Sequence, residues 1–383
     1  MCFKRKSRLL SSLLTGFIVG VSGNLAYASP VTVKIGVVGP LTGEGAGYGK
    51  DILNGVTMAV EEANARHLRI GENDVHLEIV HEDDQSDPRT AVQVAQKLVD
   101  DGVAVVIGHF NSGTTLPAST LYERAGIPMI TPSATNPAIT GRGYANVFRI
   151  IATDAQNAGN AGAYAVKVTK AKRIAVLDDR TAFGEGEADE FVRAVNAAGG
   201  TIVDREYTND KAVDFSAQLT HIKSFNPDLL FFGGLDTQSA LIVKRMKQLG
   251  VDAQFLAGGG VADTNFLKLA GTAADGAMAW ENGPSLQSLP GGSGFANGYK
   301  ARFGSDPLPY SPFAYDGTRM AIAAMLTAKS VEPANISKAL KGLDFNGLTG
   351  MVSFDRKGDL NHAVCTLYQV KNGAWQTVTS SAR

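Results

Sequence analysis

Apolar residues fall along this chain in two alternating rhythms. The short apolar runs Val31–Gly39, Val75–Val80, Val103–Ile107 and Ile127–Ile130 predict buried strands, while Ile52, Val56, Ala59, Val60 and Ala63 recur at helical spacing. Asp87 and Pro88 supply a cap followed by proline at the first helical position. They open a helix with Val92, Ala95 and Val99 inside and Gly102 just past its end. The same alternation resumes with strands at Arg173–Leu177, Thr201–Tyr207 and Asp228–Phe232. Helices interleave them at Glu187–Ala198, around Phe215, Leu219 and Ile222, and around Ile242, Met246 and Leu249. Phe255–Ala257 and Ala277–Trp280 predict two further short strands. Repeated strand–helix–strand units predict parallel sheets covered by helices on both faces, here in two successive arrays over residues 31–150 and 155–280. Pro284–Gly294 is the clearest break in composition. Helices at Phe313–Ala328 and Pro333–Leu340 and strands at Gly350–Phe354 and Val364–Val370 follow, with nothing in their periodicity to say where they dock.

One unit of this pattern carries candidate chemistry. Between the strands at Val103–Ile107 and Ile127–Ile130 lies a helix opened by Ser112, Gly113, Thr114 and Thr115 and stopped by Gly126. Free N–H groups and the dipole at a helix start favour an anion. Ser133 and Thr135 follow the next strand, at the same edge of the sheet. No general base or metal ligand accompanies them, so the pattern suits holding a small carboxylate better than reacting with it.

The N-terminus predicts export. Lys4, Arg5, Lys6 and Arg8 precede an apolar stretch, Leu9–Val21, that is too short to span a bilayer, and Ala26-Tyr27-Ala28 predicts cleavage before Ser29. Residues 1–28 hold four of the 36 basic residues and none of the 37 acidic ones, so the mature chain carries 32 against 37, a net charge near −5. That argues against nucleic acid or an anionic membrane as partner. Cys2 leaves with the leader, so Cys365 is then the single thiol. The remaining length exceeds one comfortable core and predicts two domains.

Other chemistries fail on spacing. In the glycine-rich stretch Gly43–Gly49, Tyr48 or Lys50 falls where a dinucleotide-binding loop needs its third glycine. A phosphate-binding loop fails at Glu44 and Asp51. The stretch reads instead as a flexible loop exposing Tyr48. No G-x-S-x-G elbow occurs. His76 and His81 point to opposite faces of one strand, and Glu82-Asp83-Asp84 reads as a solvated turn before the Asp87 cap. His109, beside the hydroxyl turn, reads as structural. Asp236 and Asp263 each open a helix after a strand, which makes them N-caps or, at a strand's C-terminal end, ligand contacts.

The segments VVGPLTGEGAGYGKDILNGVTMAVEEAN, HEDDQSDPRTAVQVAQKLVDDGVAVVIGHFNSGTTLPAS, GIPMITPSATNPAIT, AFGEG, FSAQLTHIK and FDRKGDL resemble the branched-chain amino-acid-binding proteins. These are type I periplasmic receptors of ATP-binding-cassette importers. The resemblance covers essentially the whole mature chain. It implies an α/β fold of two Rossmann-like lobes joined by three crossovers and closing on a ligand. The first lobe would take residues 29–153 plus 283–364 and the second 154–282 plus 365–383. It further implies a membrane permease as partner, a periplasmic location, a monomer, and neither catalysis nor a cofactor.

Carried over residue by residue, Ser112 and Thr135 match the hydroxyls that hold the ligand carboxylate, with Ser133 supplying backbone beside them. Tyr48 matches an aromatic wall, Phe183 a ring that is usually Tyr, and Leu235 another frequent Tyr. Gly259 stands where the amino-acid binders place a carboxylate against the ligand's ammonium. Ser86 and Asn111 stand where some members carry a cysteine pair. Either Asp236 or Asp263 meets the amine instead, or the ligand has no amine and is a hydrophobic acid such as an aromatic carboxylate. A periplasmic sensor component shares the same binding fold, and an α/β enzyme is disfavoured because no catalytic group is found.

Overall fold

The computed structural model describes residues 1–3, 30–43 and 45–381. Residues 4–28 of the leader and its cleavage site lie outside these residues. Strands β1 (Val31–Gly39), β2 (Arg69–Ile70), β3 (Asn73–Asp83), β4 (Val105–Ile107), β5 (Met129–Thr131) and β6 (Val147–Arg149) form one sheet in the order β2-β3-β1-β4-β5-β6. Its pairings are parallel except at the short β2–β3 hairpin. Helices α1 (Ala46–Ala65), α2 (Pro88–Asp100), α3 (Ser112–Ala125) and α4 (Ala138–Gly141) connect these strands.

A second sheet contains β7 (Ile174–Asp178), β8 (Ile202–Tyr207), β9 (Leu229–Gly233), β10 (Gln254–Ala257) and β11 (Met278–Asn282), wound with α5 (Asp154–Lys167), α6 (Ala182–Ala197), α7 (Ser216–Ser224), α8 (Asp236–Leu249) and α9 (Thr264–Ala270). The chain then returns to the first body through α10 (Gly292–Phe303), α11 (Ser311–Ala328), α12 (Pro333–Leu340) and the small pair β12 (Phe345–Asn346) and β13 (Met351–Val352). It ends in β14 (Cys365–Lys371) and β15 (Ala374–Ser380), which extend the second sheet antiparallel beside β11. The backbone therefore passes between the two bodies after β6, after β11 and before β14.

The central strands are largely apolar because helices cover both faces of their sheets. β4, β5, β6, β7 and β9 are buried at every residue. Burying each large aliphatic or aromatic side chain contributes about 1.5–3 kcal/mol. The late helix α11 packs along α1, so Met320, Met325 and Ile322 join the first core with Ile52 and Val56.

Three expectations change here. Glu82-Asp83-Asp84 is not a solvated turn: Glu82 and Asp83 end β3, and Asp84 is fully buried against His109. The glycine-rich stretch after β1 is not a loop exposing Tyr48: helix α1 starts at Ala46, and Tyr48 is 5% exposed in its first turn. Its glycines serve close packing, since a Cβ at Gly49 would stand 1.9 Å from the Pro40 carbonyl oxygen. The segment Pro284–Gly294 is also more structured than its composition predicts, holding a single 3-10 turn at Leu286–Ser288 and the start of α10.

Candidate functional site

The C-terminal strand ends of the two sheets face each other, with their loops in contact across a closed cleft. On the first body, α3 begins directly after the β4 loop. The Thr114 and Thr115 hydroxyls both donate to the Asn111 carbonyl, at 3.0 and 2.8 Å, which fixes the first turn. The first N–H groups of a helix have no partner within it. Ser112 is buried beside them, and its Oγ accepts from the Asn136 N–H at 3.2 Å. That bond draws the Thr135–Asn136 turn onto the start of α3. Thr135 is 1% exposed, and its hydroxyl makes no well-formed hydrogen bond among the described residues, though it lies close enough to the Asp154 carboxyl to favour its charged form.

Two buried charged groups hold these loops in place. Arg149, fully buried at the end of β6, donates to the Ala134 and Asn136 carbonyls at 3.1 and 2.8 Å and to Asp359 at 2.7 Å. Asp359 belongs to the FDRKGDL segment, so that distant motif braces the Thr135 turn. Ser133 braces the same corner, donating from Oγ to the Phe110 carbonyl at 3.0 Å. Asp51 accepts from the N–H groups of Leu308, Tyr310 and Ser311 and from the Tyr299 hydroxyl. It thereby pins the entry to α11, and burial pushes its carboxyl up against those lowering bonds. His109 is bound on both ring nitrogens, to Asp84 at 2.8 Å and Tyr122 at 3.1 Å, and packs as a structural residue.

The apolar wall has three rings from the first body. Tyr48 stacks on Phe110 at 5.2 Å, and Tyr310 meets both edge-on at 5.4 and 5.2 Å. Leu235, from the loop after β9, reaches across and packs against this cluster. The Tyr48 hydroxyl also crosses the cleft, 2.8 Å from Asp263 Oδ2 and 3.3 Å from the Gly260 carbonyl. Asn136 donates to the Ala182 carbonyl at 2.6 Å, at the start of α6, where Phe183 sits half-buried.

The second body presents an acidic surface. Asp263 caps α9 through the Phe266 N–H at 2.8 Å, and burial, with Asp236 nearby, pushes its carboxyl up to about 6. Asp236 is the first residue of α8, with Leu235 at the cap position, and accepts from the Asn265 amide. Both therefore have partners on the protein. Glu281 accepts from the Gly260, Val261 and Ala262 N–H groups at 2.9, 2.8 and 2.7 Å, which shapes the loop bearing Gly259. Burial pushes its carboxyl up to about 7. A Cβ at Gly259 would come within 2.9 Å of the Asn282 amide nitrogen, so a side chain there would require the Asn282 amide to move.

Phe110, Tyr310, Asn136, Asp154, Asn157, Glu187 and Glu281 join the cleft without having stood out in the sequence. Glu187 did leave a signal. It lies on the apolar stripe of α6, spaced with Gly184, Ala188, Phe191 and Val195, and a charge at a core position needs a reason. Among the described residues, Asp204, Glu206 and His221 are one group whose ligand atoms lie close enough to share a metal ion, and they lie on the β8 and α7 surface rather than in the cleft.

Comparison with known proteins agrees with this geometry. A family model for periplasmic binding proteins matches residues 32–374. The leucine-, isoleucine-, valine-, threonine- and alanine-binding protein of Pseudomonas aeruginosa is 35% identical, over 98% of this chain and 99% of its own length. The leucine-binding protein LivK of Thermotoga maritima superposes with a TM-score of 0.84 at 28% identity, covering 91% of this chain and 98% of that one. LivJ of Streptococcus pneumoniae, solved in complex with isoleucine, superposes at 0.80 with 25% identity, covering 91% and 99%. By its sequence, its two parallel-rich lobes and its cleft, the chain belongs to the periplasmic binding protein family, as a solute-binding protein of the branched-chain amino-acid group.

Proposed function

We propose that this protein is the receptor of an ATP-binding-cassette importer for a hydrophobic α-amino acid, which it captures by closing its lobes. The carrying observation is the buried hydroxyl pair of Ser112 and Thr135 at the start of α3, one hydroxyl of which makes no well-formed hydrogen bond among the described residues. Such a corner, with its N–H groups and dipole, takes a carboxylate. Ser133 holds the loop behind it. The ligand's apolar side chain packs on Tyr48, Phe110 and Tyr310, with Leu235 and Phe183 closing from the second lobe. This is the ligand class named for the Pseudomonas aeruginosa relative and seen as isoleucine in LivJ.

The lobes divide as residues 29–153 plus 283–364 and 154–282 plus 365–383, so the hinge is the three strands of backbone near Thr153, Gly283 and Val364. Among the described residues no helix is long and apolar enough to cross a membrane. With the exported family, that fits a monomeric receptor released into the periplasm after cleavage before Ser29, delivering ligand to a membrane permease and carrying out no reaction.

A thermal-shift screen tests the reading. Ligand at 100 times its Kd adds about 2.7 kcal/mol of stability. Leucine, isoleucine, valine or phenylalanine should raise the melting temperature, whereas sugars should not. A shift with uncharged sugars and none with any carboxylate would overturn it.

A further inference from the structure

Four acceptor atoms crowd one corner of the cleft with no well-formed hydrogen bond among the described residues: both carboxylate oxygens of Asp154, Oε2 of Glu187 and Oδ1 of Asn157. The Thr135 hydroxyl is the one neighbouring donor that favours a charged Asp154. All three side chains are 0% exposed. Asp154 and Asn157 are three residues apart at the start of α5 and so share a face of that helix. Glu187 reaches the same corner from α6, its Oε1 accepting from the Gly259 N–H at 3.3 Å. Its Oε2 occupies the space over Gly258, where a Cβ would stand 1.3 Å away. Asp154 Oδ2 comes within 2.7 Å of the Cβ position at Gly186, the residue before Glu187. Asn157 donates to Asn282 at 3.2 Å, and the amides of both line the space beside Gly259.

Every orphan here is an acceptor, which decides what the corner can hold. Two carboxylates side by side in a dry interior lose hydration and repel each other. Burial, then the charge of Asp154, pushes the Glu187 carboxyl well up, and burial raises Asp154. A second anion would add to the repulsion, and an apolar group would leave all four acceptors bare. A compact cation with several donors satisfies them, and a primary ammonium has three N–H groups. The corner also adjoins the carboxylate end of the site: the Asp154 N–H donates to the Thr135 carbonyl at 2.9 Å. Asp236 and Asp263, the other acids of the second lobe's rim, already have partners.

We propose that Glu187 and Asp154, with Asn157, bind the α-ammonium group of the ligand and so select amino acids over the same acids lacking the amine. This rests on the reading that Ser112 and Thr135 hold the carboxylate. The carboxylate that recognises the amine then comes from helix α6, over Gly258, whose lack of a side chain makes room for it.

Titration calorimetry compares leucine with 4-methylpentanoate and phenylalanine with 3-phenylpropanoate on wild type, Glu187→Gln, Asp154→Asn and Ser112→Ala. Wild type should prefer the amino acid of each pair at least about 100-fold, since charge-assisted bonds in a dry site are strong. Each carboxylate variant should narrow that preference about tenfold or more, whereas Ser112→Ala should weaken both members of a pair alike. Wild type alone supplies an independent readout: a cation lowers the pKa of the buried carboxyls, so leucine binding should release protons. The measured heat will then depend on the buffer's ionisation enthalpy, and with 4-methylpentanoate it will not. A preference that survives in both carboxylate variants overturns the proposal. So does a wild type that takes the deamino acids equally tightly, a result that leaves the carboxylate reading standing. Failure of all four ligands to bind wild type overturns both.

Discussion

Removing one oxygen from Tyr48 should loosen the closed cleft without changing what it selects. The Tyr48 hydroxyl lies on the first lobe and donates across the cleft to Asp263 at 2.8 Å, with the Gly260 carbonyl a second acceptor at 3.3 Å. Tyr48→Phe keeps the ring, its stacking on Phe110 and its burial, and deletes only this bond. A hydrogen bond to a charged group contributes about 1.5–3 kcal/mol. The open form hydrates Asp263 and loses nothing, so the whole effect falls on the closed form. A penalty of that size weakens every ligand by about ten- to a hundredfold. The loss should be the same for each ligand, because the bond touches the protein on both sides. Calorimetry with two amino acids of different side chain measures this. Unchanged affinity in Tyr48→Phe, or a loss confined to one ligand, would refute a closing role for this contact.

Ser112→Ala and Thr135→Ala should each cost about 1.5–3 kcal/mol of binding, read by calorimetry as a ten- to hundredfold rise in Kd. Gly258→Ala should displace the Glu187 carboxylate, because the new Cβ would stand 1.3 Å from Oε2; the expected readout is loss of amino-acid binding with the far-ultraviolet circular dichroism intact. Stability of the ligand-free protein should fall as pH rises from about 4 to about 7. Folding raises the carboxyl of Asp51, buried within the first lobe, and pushes that of Glu281, buried within the second, up to about 7, so the folded state holds protons that the unfolded state has released. For Glu281 alone, raised from its ordinary 4.5 to about 7, the loss reaches ~3 kcal/mol. Below that window the trend should reverse as Asp87, held low by the Thr90 N–H, is protonated and its cap weakens. A melting temperature that rises steadily from pH 4 to 7 would contradict the burial of these groups.

Much of the fold was legible because each βα unit states its own boundaries. Pro333 at the first helical position begins α12 at the residue expected, and Asp87 caps α2. The glycines of Gly43–Gly49 misled because glycine signals both a flexible loop and a close approach of backbones, and only the packing of Gly49 on Pro40 separates the two. The docking of β14 and β15 was not legible, since an antiparallel pair at a sheet edge carries little of the periodicity that marks a buried parallel strand. At the site, Ser112 and Thr135 showed in the sequence through their place at strand ends. The aromatic wall is assembled from Tyr48, Phe110 and Tyr310, positions far apart in the chain, so no local pattern could bring them together. Asp236 and Asp263 sit at helix starts just after strands, where ligand contacts are expected, whereas Glu187 lies within a helix. Its charge on the buried stripe of α6 was the readable clue.

The central claim is capture of an amino acid by closure of two lobes, and small-angle X-ray scattering tests it most directly. The radius of gyration is compared with and without the hydrophobic amino acid that gives the largest thermal shift, at a concentration calorimetry shows to be saturating. The account predicts a smaller radius with ligand, because contacts such as Tyr48 to Asp263 and Asn136 to Ala182 form only when the lobes meet. An unchanged radius in a sample whose calorimetry records full occupancy would contradict it.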